Sequence, residues 1–213
     1  MDFAEFKNRS PKLKKIKLPG EEAHYKLSPL FRIKELEESW SNRSEPKEAA
    51  VMAVFYPDAK GKVNFVLILR KTYRGIHSNQ VGFPGGRVEE SDRDLMETAL
   101  RETYEEVGIL PQDIEVIRSL TKLYIPPSNF WVFPFMGIMD STPVLIPQED
   151  EVEAILEVEL QEFLSDSCLT SRKLSTSYAK NVEVPAFLLN GHVVWGATAM
   201  MLSEMKDLLK QVL

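Results

Sequence analysis

The chain has a single cysteine, Cys168, so no disulfide can form within it, and this cysteine usage fits a reducing compartment. A reactive thiol is one interpretation, but a lone cysteine is more often a small buried hydrophobic residue. Two of the three histidines, His24 and His192, have no spacing that suggests a metal site.

Long apolar runs are also missing. The longest nearly apolar stretch, Phe130 to Met139, is too short to span a bilayer and contains Pro134. The first 30 residues show no apolar core of a signal peptide. We therefore expect a soluble, cytoplasmic protein without a membrane partner.

The sequence lacks an excess of positive charge, because its formal net charge is −6. Nucleic-acid-binding proteins usually carry a basic balance or a basic stripe, so we expect no nucleic-acid partner. One basic cluster lies near the N-terminus, at Lys12, Lys14, Lys15 and Lys17. This cluster is typical of a solvated arm, and steering of an anionic substrate is the alternative.

The chain does have enough apolar material for one sizeable domain, with 44% hydrophobic residues among 213. We predict an N-terminal extension over residues 1–46 and a main domain over residues 47–213. Within the extension, the apolar spacing from Leu30 to Trp40 predicts a short helix, and residues 41–46 indicate a linker.

The pattern from Ala49 onward is that of strands joined by turns. Segments 49–56 and 63–70 should form a hairpin, and short strands should follow near 114–125 and 130–139. Further predicted elements are a strand and helix within 151–164, a tight hairpin turn at Asn190-Gly191, and an amphipathic helix over 197–213. Helices on a mixed or antiparallel sheet give an α/β (α+β) sandwich.

One predicted helix carries three glutamates, in the stretch RETYEEVG from Arg101 to Gly108. Glu102, Glu105 and Glu106 lie at i, i+3 and i+4, so their like charges share one face of the helix and destabilise it. Arg101 can pair with Glu105 four residues later. Gly108 suits the left-handed position that ends a helix.

The start of this helix has more than one candidate cap. Ser91 followed by Asp94 matches a variant of the capping box, and Asp92 is the alternative cap. A mostly apolar strip should face the sheet, formed by Leu95, Ala99, Thr103 and Val107.

The glutamates have two interpretations. Three glutamates taken alone usually mean the solvated face of a surface helix. The alternative is a site for hard divalent cations, which prefer oxygen ligands and would turn the repulsion between carboxylates into attraction. The preceding FPGG stretch, Phe83 to Gly86, favours this alternative, because adjacent glycines allow a ligand to approach the backbone closely.

Residues 85–109, GGRVEESDRDLMETALRETYEEVGI, resemble the Nudix box G-x5-E-x7-R-E-U-x-E-E-x-G-U, in which U is apolar. The second half of the box matches, with Thr103 at the first apolar position. In the first half, counting from Gly86, the acidic position falls on Asp92, and Arg101 comes one residue late. That insertion resembles the coenzyme A pyrophosphatase branch of the family.

Three other stretches resemble the same branch, and one of them is the acidic segment EDEVEAILEVEL at residues 149–160. Residues 67–86, LILRKTYRGIHSNQVGFPGG, are similar to its upstream signature, and residues 193–202, VVWGATAMML, to its C-terminal W-G-x-T-A stretch. The upstream stretch departs at Lys71, Gly75 and Asn79, where the signature has Ser, Arg and Gly.

The resemblance implies a Nudix-type α/β/α sandwich with a mixed sheet, and a hydrolase that uses Mg²⁺ or Mn²⁺. By the family pattern, Glu102 and Glu106 would be metal ligands and Glu105 a third ligand or the base. The carbonyl of Gly86 would complete the coordination sphere, and Arg101 would orient the glutamates.

The same pattern predicts residues that bind the substrate. Arg70 and Arg74 suit phosphate groups, because guanidinium groups make bidentate contacts to them. His77 and Phe83 belong to the same set, although His77 could equally fill a loop turn. Glu151 is a weaker choice for a base outside the box, and a solvated loop charge is its alternative.

The branch implies cleavage of coenzyme A or a derivative to 3′,5′-ADP and 4′-phosphopantetheine. One alternative is a Nudix hydrolase for ADP-ribose or a reduced nicotinamide dinucleotide. Another is a non-catalytic Nudix module that binds a nucleotide. In each case we expect a small-molecule nucleotide as the partner. The sequence is also compatible with a homodimer.

Overall fold

The computed structural model describes residues 1–29, 45–72, 79–174 and 182–213. The helix predicted from Leu30 to Trp40 lies outside these residues. No helix among them is both long and apolar enough to cross a membrane.

From residue 47 onward the main helices and strands follow the predicted order. The helices are α1 (Phe3–Arg9), α2 (Glu21–Lys26), α3 (Leu95–Val107), α4 (Leu160–Leu164) and α5 (Gly196–Lys210). Short 3₁₀ helices cover Ser10–Lys14, Pro111–Asp113 and Asp166–Cys168. The strands are β1 (Lys47–Pro57), β2 (Val63–Arg70), β3 (Val81–Gly82), β4 (Gly85–Arg87), β5 (Glu115–Ser119), β6 (Leu123–Ile125), β7 (Phe130–Ile138), β8 (Val152–Glu159), β9 (Leu169–Leu174), β10 (Val182–Leu189) and β11 (His192–Trp195). The two N-terminal helices, α1 and α2, and the short strands β3, β4 and β9 were not predicted.

In the described part of the chain, eight strands form one mixed sheet, with the order β3-β2-β1-β7-β5. β1 pairs antiparallel with β2, as the predicted hairpin requires, and parallel with β7. β4, β6 and β8 attach to β1, β7 and β2. The mixed sheet confirms the predicted fold class.

A second sheet, β11-β10-β9, was not predicted as a separate unit. Its hairpin between β10 and β11 turns at Asn190 and Gly191, which have φ angles of 48° and 78°. These positive φ angles are those of a tight primed turn, as the sequence predicted.

β1 contributes to two apolar cores, because successive side chains of a strand point to opposite faces of a sheet. One core lies on the α3 side and includes Ala50, Met52, Val54, Tyr56 and Ala99. The other lies on the α5 side and includes Val51, Ala53, Phe55, Met201 and Met205. The sheet is therefore the middle layer of a sandwich.

The N-terminal residues join the second core. Phe6 on α1 is fully buried, and its ring centroid lies 5.2 Å from that of Phe55. The backbone N–H of Phe3 donates to the carbonyl of Gly61 over 2.9 Å. α1 is thereby fixed to the loop between β1 and β2.

The predicted solvated arm needs a correction. The side chains of Lys12, Lys14, Lys15 and Lys17 are exposed, as expected. Leu13 between them is fully buried, however, so the segment packs on the rest of the chain. The division at residue 46 stays a prediction.

Cys168 is buried, as its solitary occurrence suggested. Its thiol donates to the carbonyl oxygens of Phe163 and Ser165 over 3.2 and 3.0 Å. Burial raises the pKa of the Cys168 thiol, which disfavours the reactive thiolate form.

Candidate active site

α3 carries the three glutamates, and both of its ends are well defined. Asp94 is the N-cap, because its carboxylate accepts a hydrogen bond of 2.8 Å from the N–H of Glu97. The two caps predicted from the sequence, Ser91 and Asp92, are therefore wrong. Gly108 ends the helix with φ 79°, as predicted.

Asp92 has a different role, since its carboxylate binds Arg101. Nε and Nη2 of Arg101 donate to the two carboxylate oxygens over 2.9 and 3.0 Å. Thr98 donates its hydroxyl to the same carboxylate over 2.9 Å. The hydrogen bonds from Arg101 hold the pKa of the Asp92 carboxyl well below its usual range. This bidentate ion pair fixes the guanidinium in one plane.

Arg101 also binds two of the glutamates. Its Nη1 donates to Glu102 over 3.0 Å and to Glu105 over 2.9 Å. The predicted pairing of Arg101 with Glu105 is thus confirmed. With Asp92 on one edge and the glutamates on the other, the guanidinium orients both carboxylates.

Glu102 lies directly against the double glycine. A Cβ added at Gly86 would come within 2.4 Å of the Glu102 carboxyl carbon. At Gly85, where φ is 153°, a Cβ would come within 2.4 Å of the carbonyl oxygen of Ala50. Gly85 therefore needs glycine, because its Cβ would meet backbone atoms of β1, whereas a Cβ at Gly86 would displace the Glu102 carboxylate.

Glu106 is the most buried of the three glutamates, with 2% of its side chain exposed, against 14% for Glu102 and 51% for Glu105. Its Oε2 accepts a hydrogen bond of 2.8 Å from the N–H of Gly85. Its Oε1 is buried and has no hydrogen-bond partner among the residues that the structure describes. Nη2 of Arg70 lies 3.5 Å from this oxygen.

The carboxyl groups of Glu102 and Glu106 both have raised pKa values. Burial raises the pKa of Glu106 to about 7, although the charge of Arg70 and the N–H of Gly85 oppose this shift. Burial also raises the pKa of Glu102. The charge of Glu151 adds to both shifts, so this residue lies near enough to act on the site.

Arg70 lies at the end of β2 and points to the site, as predicted. Its Nη2 donates to the carbonyl of Gly85 over 2.7 Å. Phe83 is buried at 3% exposure and belongs to the core on the α5 side. Arg74 and His77 lie outside the described residues, so their roles stay predictions.

The sequence of this site matches a known family. The NUDIX domain model matches residues 46–177, which is more than half of the chain. The chain belongs to the Nudix family. Residues 85–109 are thus its Nudix box, and the sandwich described above is the fold that this family was expected to give.

Several curated Nudix proteins are similar to this chain. Nudix hydrolase 15, mitochondrial, from Arabidopsis thaliana is 35% identical over 59% of this chain and 44% of its own length. Nudix hydrolase 22, chloroplastic, from the same plant is 31% identical over 75% of this chain and 54% of its own length. Mitochondrial coenzyme A diphosphatase NUDT8 from Homo sapiens is 31% identical over 74% and 67%. This Nudix chain spans about half the length of the first two relatives.

Among solved structures, the Nudix hydrolase RenU from M. smegmatis has a TM-score of 0.55 to this chain. The match covers 83% of this chain and 93% of that one, at 10% identity. At that identity the similarity concerns the fold alone.

The carboxylates of the Nudix box fit a divalent cation. Within the described ranges, no three His, Cys, Asp or Glu side chains form a complete metal site. Mg²⁺ usually binds one or two protein carboxylates together with substrate phosphates and water. Glu102, on the same helix as Glu106, lies beside Gly86 of β4. Oε1 of Glu106 is buried and accepts no hydrogen bond from the part of the chain that the structure describes. Such an oxygen suits a hard cation.

A cavity of about 250 Å³ lies beside the double glycine of the Nudix box. It is bordered by β1, the end of β2, β3, β4, the turn between β6 and β7, and the start of α5. Its lining includes Val51, Arg70, Phe83, Gly85, Gly86, Ser128, Phe130, Trp195, Thr198 and Met201. Trp195 and Thr198 belong to the W-G-x-T-A stretch that was recognised in the sequence, whereas Ser128 was missed.

Thr198 explains part of the W-G-x-T-A stretch. Its hydroxyl donates to the carbonyl of Val81 over 3.0 Å, which joins the first turn of α5 to β3. A lone threonine in a helix gives no signal of such a contact in one sequence. The cavity as a whole also depends on distant segments, so among its lining residues only the double glycine, Arg70 and Phe83 were predicted from the sequence as parts of the site.

Proposed function

We propose that this protein is a divalent-metal-dependent pyrophosphohydrolase that cleaves the diphosphate bond of coenzyme A or its derivatives. The products would be 3′,5′-ADP and 4′-phosphopantetheine. The observation that carries the proposal is the placement of Glu102 and Glu106 against Gly85-Gly86, with one buried oxygen of Glu106 that accepts no hydrogen bond from the described residues.

Glu102, Glu106 and the carbonyl of Gly86 are the groups that would hold Mg²⁺ or Mn²⁺. A bound ion of this kind lowers the pKa of a water and neutralises diphosphate charge. Glu106 is fixed for this task by the Gly85 N–H, and Glu102 by Arg101. The carboxylates are thereby held in position before substrate arrives, which reduces the cost of ordering the site.

Glu105 is the half-exposed member of the trio and serves as a third ligand or as the base. Its carboxylate is tied to Arg101 on one side and is open to solvent on the other. It can therefore accept a proton from an attacking water without losing its orientation. Glu151 is a weaker second choice for the base.

Arg70 is placed to bind a phosphate group of the substrate. It lines the cavity, and its side chain is about one-quarter exposed, so it can reach a ligand. Its present partners are the Gly85 carbonyl and, at 3.5 Å, Glu106. A diphosphate between Arg70 and the glutamates would have a cation on each side once metal is bound.

The choice of coenzyme A rests on two similarities. The upstream and C-terminal stretches resemble the coenzyme A branch, and one relative is a human mitochondrial coenzyme A diphosphatase. Other relatives carry only the name Nudix hydrolase. A Nudix hydrolase for ADP-ribose or a reduced nicotinamide dinucleotide is therefore the competing proposal. We also propose a cytoplasmic location.

A substrate panel tests the proposal. Purified protein is incubated with coenzyme A, ADP-ribose and reduced nicotinamide dinucleotide, each with Mg²⁺ or Mn²⁺, and the products are separated by chromatography. We expect coenzyme A to be cleaved fastest, with 3′,5′-ADP as a product. Much faster cleavage of ADP-ribose than of coenzyme A would overturn the assignment of coenzyme A as the substrate. No cleavage of any compound would support a non-catalytic nucleotide-binding module.

A further inference from the structure

The cavity beside the Nudix box shares a wall with the proposed diphosphate site. Gly85, Gly86 and Arg70 line it, and the same residues contact Glu102 and Glu106. A diphosphate at the glutamates has a substituent on each phosphate. One of these two substituents would therefore extend into the cavity.

The chemistry of the lining selects between the two substituents. Among the described residues, Arg70 on β2 and Arg87 on β4 are the charged ones that line the cavity. The opposite elements, β6, β7 and α5, contribute uncharged residues, among them Ile125, Phe130 and Met201. Both arginines lie on the side of the Nudix box, near Glu106 and Arg101. A 3′-phosphate held against the apolar side chains opposite them would be desolvated without a cation beside it, which is unfavourable. A neutral chain would not carry that cost.

A serine hydroxyl at the wall lacks a hydrogen-bond partner among the residues that the structure describes. Oγ of Ser128 is buried and accepts or donates no hydrogen bond within residues 1–29, 45–72, 79–174 and 182–213. Buried polar groups in proteins nearly always have a partner, so an unpaired one at a cavity wall indicates a ligand group.

The turn that carries Ser128 is held in place. The N–H of Asn129 donates to the carbonyl of Pro126 over 3.2 Å, and the hydroxyl of Tyr124 donates to the Asn129 side chain over 2.7 Å. Asn129 has φ 55°, a left-handed conformation that asparagine tolerates. Ser128 is thus presented by a fixed turn between β6 and β7.

We propose that this cavity binds the neutral, amide-containing arm of the substrate, and that Ser128 forms a hydrogen bond with a polar group of that arm. The 3′-phosphorylated nucleoside would lie on the opposite side of the glutamates. This inference rests on the proposed function, because it takes the diphosphate to lie at Glu102 and Glu106. Ser128 is then a residue that determines specificity.

Two variants test the inference, each with an exposed control. Ser128→Ala removes the hydroxyl, and Ala197→Leu places bulk at the cavity wall on the first turn of α5. Ser141→Ala and Ala4→Leu make the same changes at exposed positions. For each protein, KM and kcat for coenzyme A are measured, together with inhibition by 4′-phosphopantetheine and by 3′,5′-ADP. Thermal melting verifies that each variant is folded.

We expect Ser128→Ala to raise KM about tenfold with little change in kcat, because a buried hydrogen bond to substrate is lost. Inhibition by 4′-phosphopantetheine should weaken in both cavity variants, while inhibition by 3′,5′-ADP should not. Neither control should differ from the unaltered protein.

Three results would overturn the inference. Unchanged KM in both cavity variants, with normal turnover of coenzyme A, would refute the inference and leave the proposed function intact. Weaker inhibition by 3′,5′-ADP alone would assign the cavity to the nucleoside instead. No turnover of coenzyme A by the unaltered, folded protein would refute the proposed function and, with it, this inference.

Discussion

A single side chain, Glu106, shows how the fold prepares the site. One carboxylate oxygen is fixed by the N–H of Gly85, and the other is buried without a hydrogen bond among the described residues. The charge on this group is costly, as its pKa of about 7 shows, and a divalent cation would offset that cost.

Neutralising Glu106 tests this interpretation. Glu106→Gln should lower turnover at least about a hundredfold, because the amide is a poor ligand for a hard cation. Mn²⁺ binding, measured by electron paramagnetic resonance of the free ion, should weaken in parallel. Glu105→Gln should also abolish turnover, whereas Glu90→Gln, at an exposed position, should change neither quantity. Full activity in both box variants would refute the assigned roles.

Asp92 acts on the site through Arg101. Asp92→Asn keeps the shape of the side chain but removes the charge of the bidentate pair, so Arg101 should hold Glu102 and Glu105 less firmly. Loss of such a supporting contact costs about 10–100-fold in activity or metal affinity in metal sites.

The measurement for Asp92→Asn is kcat together with the Kd for Mn²⁺. Asp140→Asn is the control, because Asp140 is distant from Asp92 in the sequence and forms an exposed ion pair with Lys7. Unchanged kcat and Kd in Asp92→Asn would show that Arg101 does not need this partner.

Among the secondary-structure elements, β4 and α3 make a close contact at the site. A Cβ at Gly86 would collide with the Glu102 carboxylate, whereas a Cβ at Gly82 would meet Thr198 and Arg70 at ordinary distances of 3.9 and 4.0 Å. The two glycines differ in this respect although both lie in short strands beside the cavity.

Gly86→Ala should therefore displace Glu102 and weaken Mn²⁺ binding at least about tenfold, with a lower melting temperature. Gly82→Ala is the matched control and should bind Mn²⁺ as the unaltered protein does. Calorimetric titration with Mn²⁺ measures both. Equal affinities in the two variants would contradict the role given to the contact.

Helix α3 shows which structural features can be predicted from a single sequence. The glutamates and Gly108 of α3 were recognisable because charge spacing and a left-handed terminus are local features. The N-cap was not, because Asp92 and Asp94 are both good caps, and the choice depends on Arg101 binding Asp92. Local patterns likewise could not reveal that Glu106 is buried, since burial is set by packing against β4.

At the level of the complete chain, a buried polar cluster joins α2 to α5. Glu204 on α5 accepts hydrogen bonds from the N–H of Gly20, from His24 and from both the N–H and the hydroxyl of Thr121. Burial raises the pKa of Glu204, but the hydrogen bonds from His24 and Thr121 outweigh it, so the net shift is downward.

Glu204→Ala should destabilise the protein by about 3–5 kcal/mol, because it leaves several buried donors unpaired. Asp207→Ala on the same helix removes an ion pair with exposed Lys26 and should cost about 1 kcal/mol or less. Urea denaturation compares the two. Equal losses of unfolding free energy in the two variants would show that the buried cluster contributes no more stability than the exposed ion pair.

The effect of Glu204→Ala should depend on pH. The folded-state pKa of Glu204 lies below its unfolded value of about 4.3, so its electrostatic stabilisation is complete above that pH. It is lost as pH falls through the folded-state pKa. The difference in unfolding free energy between Glu204→Ala and the unaltered protein should therefore become smaller in acid. A difference that becomes larger there would contradict this account.

The aromatic rings on the α5 side form a continuous series from Phe6 through Phe55, Phe65 and Phe163 to Phe187, with centroids 5.2–5.7 Å apart. Phe6 precedes the segment that the family model matches, and Phe187 follows it. A shortened chain limited to residues 46–177 would uncover this stack at both ends. We expect it to aggregate on expression, whereas residues 1–213 should stay in the supernatant and melt cooperatively. Boundaries drawn by family similarity would then enclose the Nudix box but neither the α5 wall of the cavity nor the smallest independently folding unit.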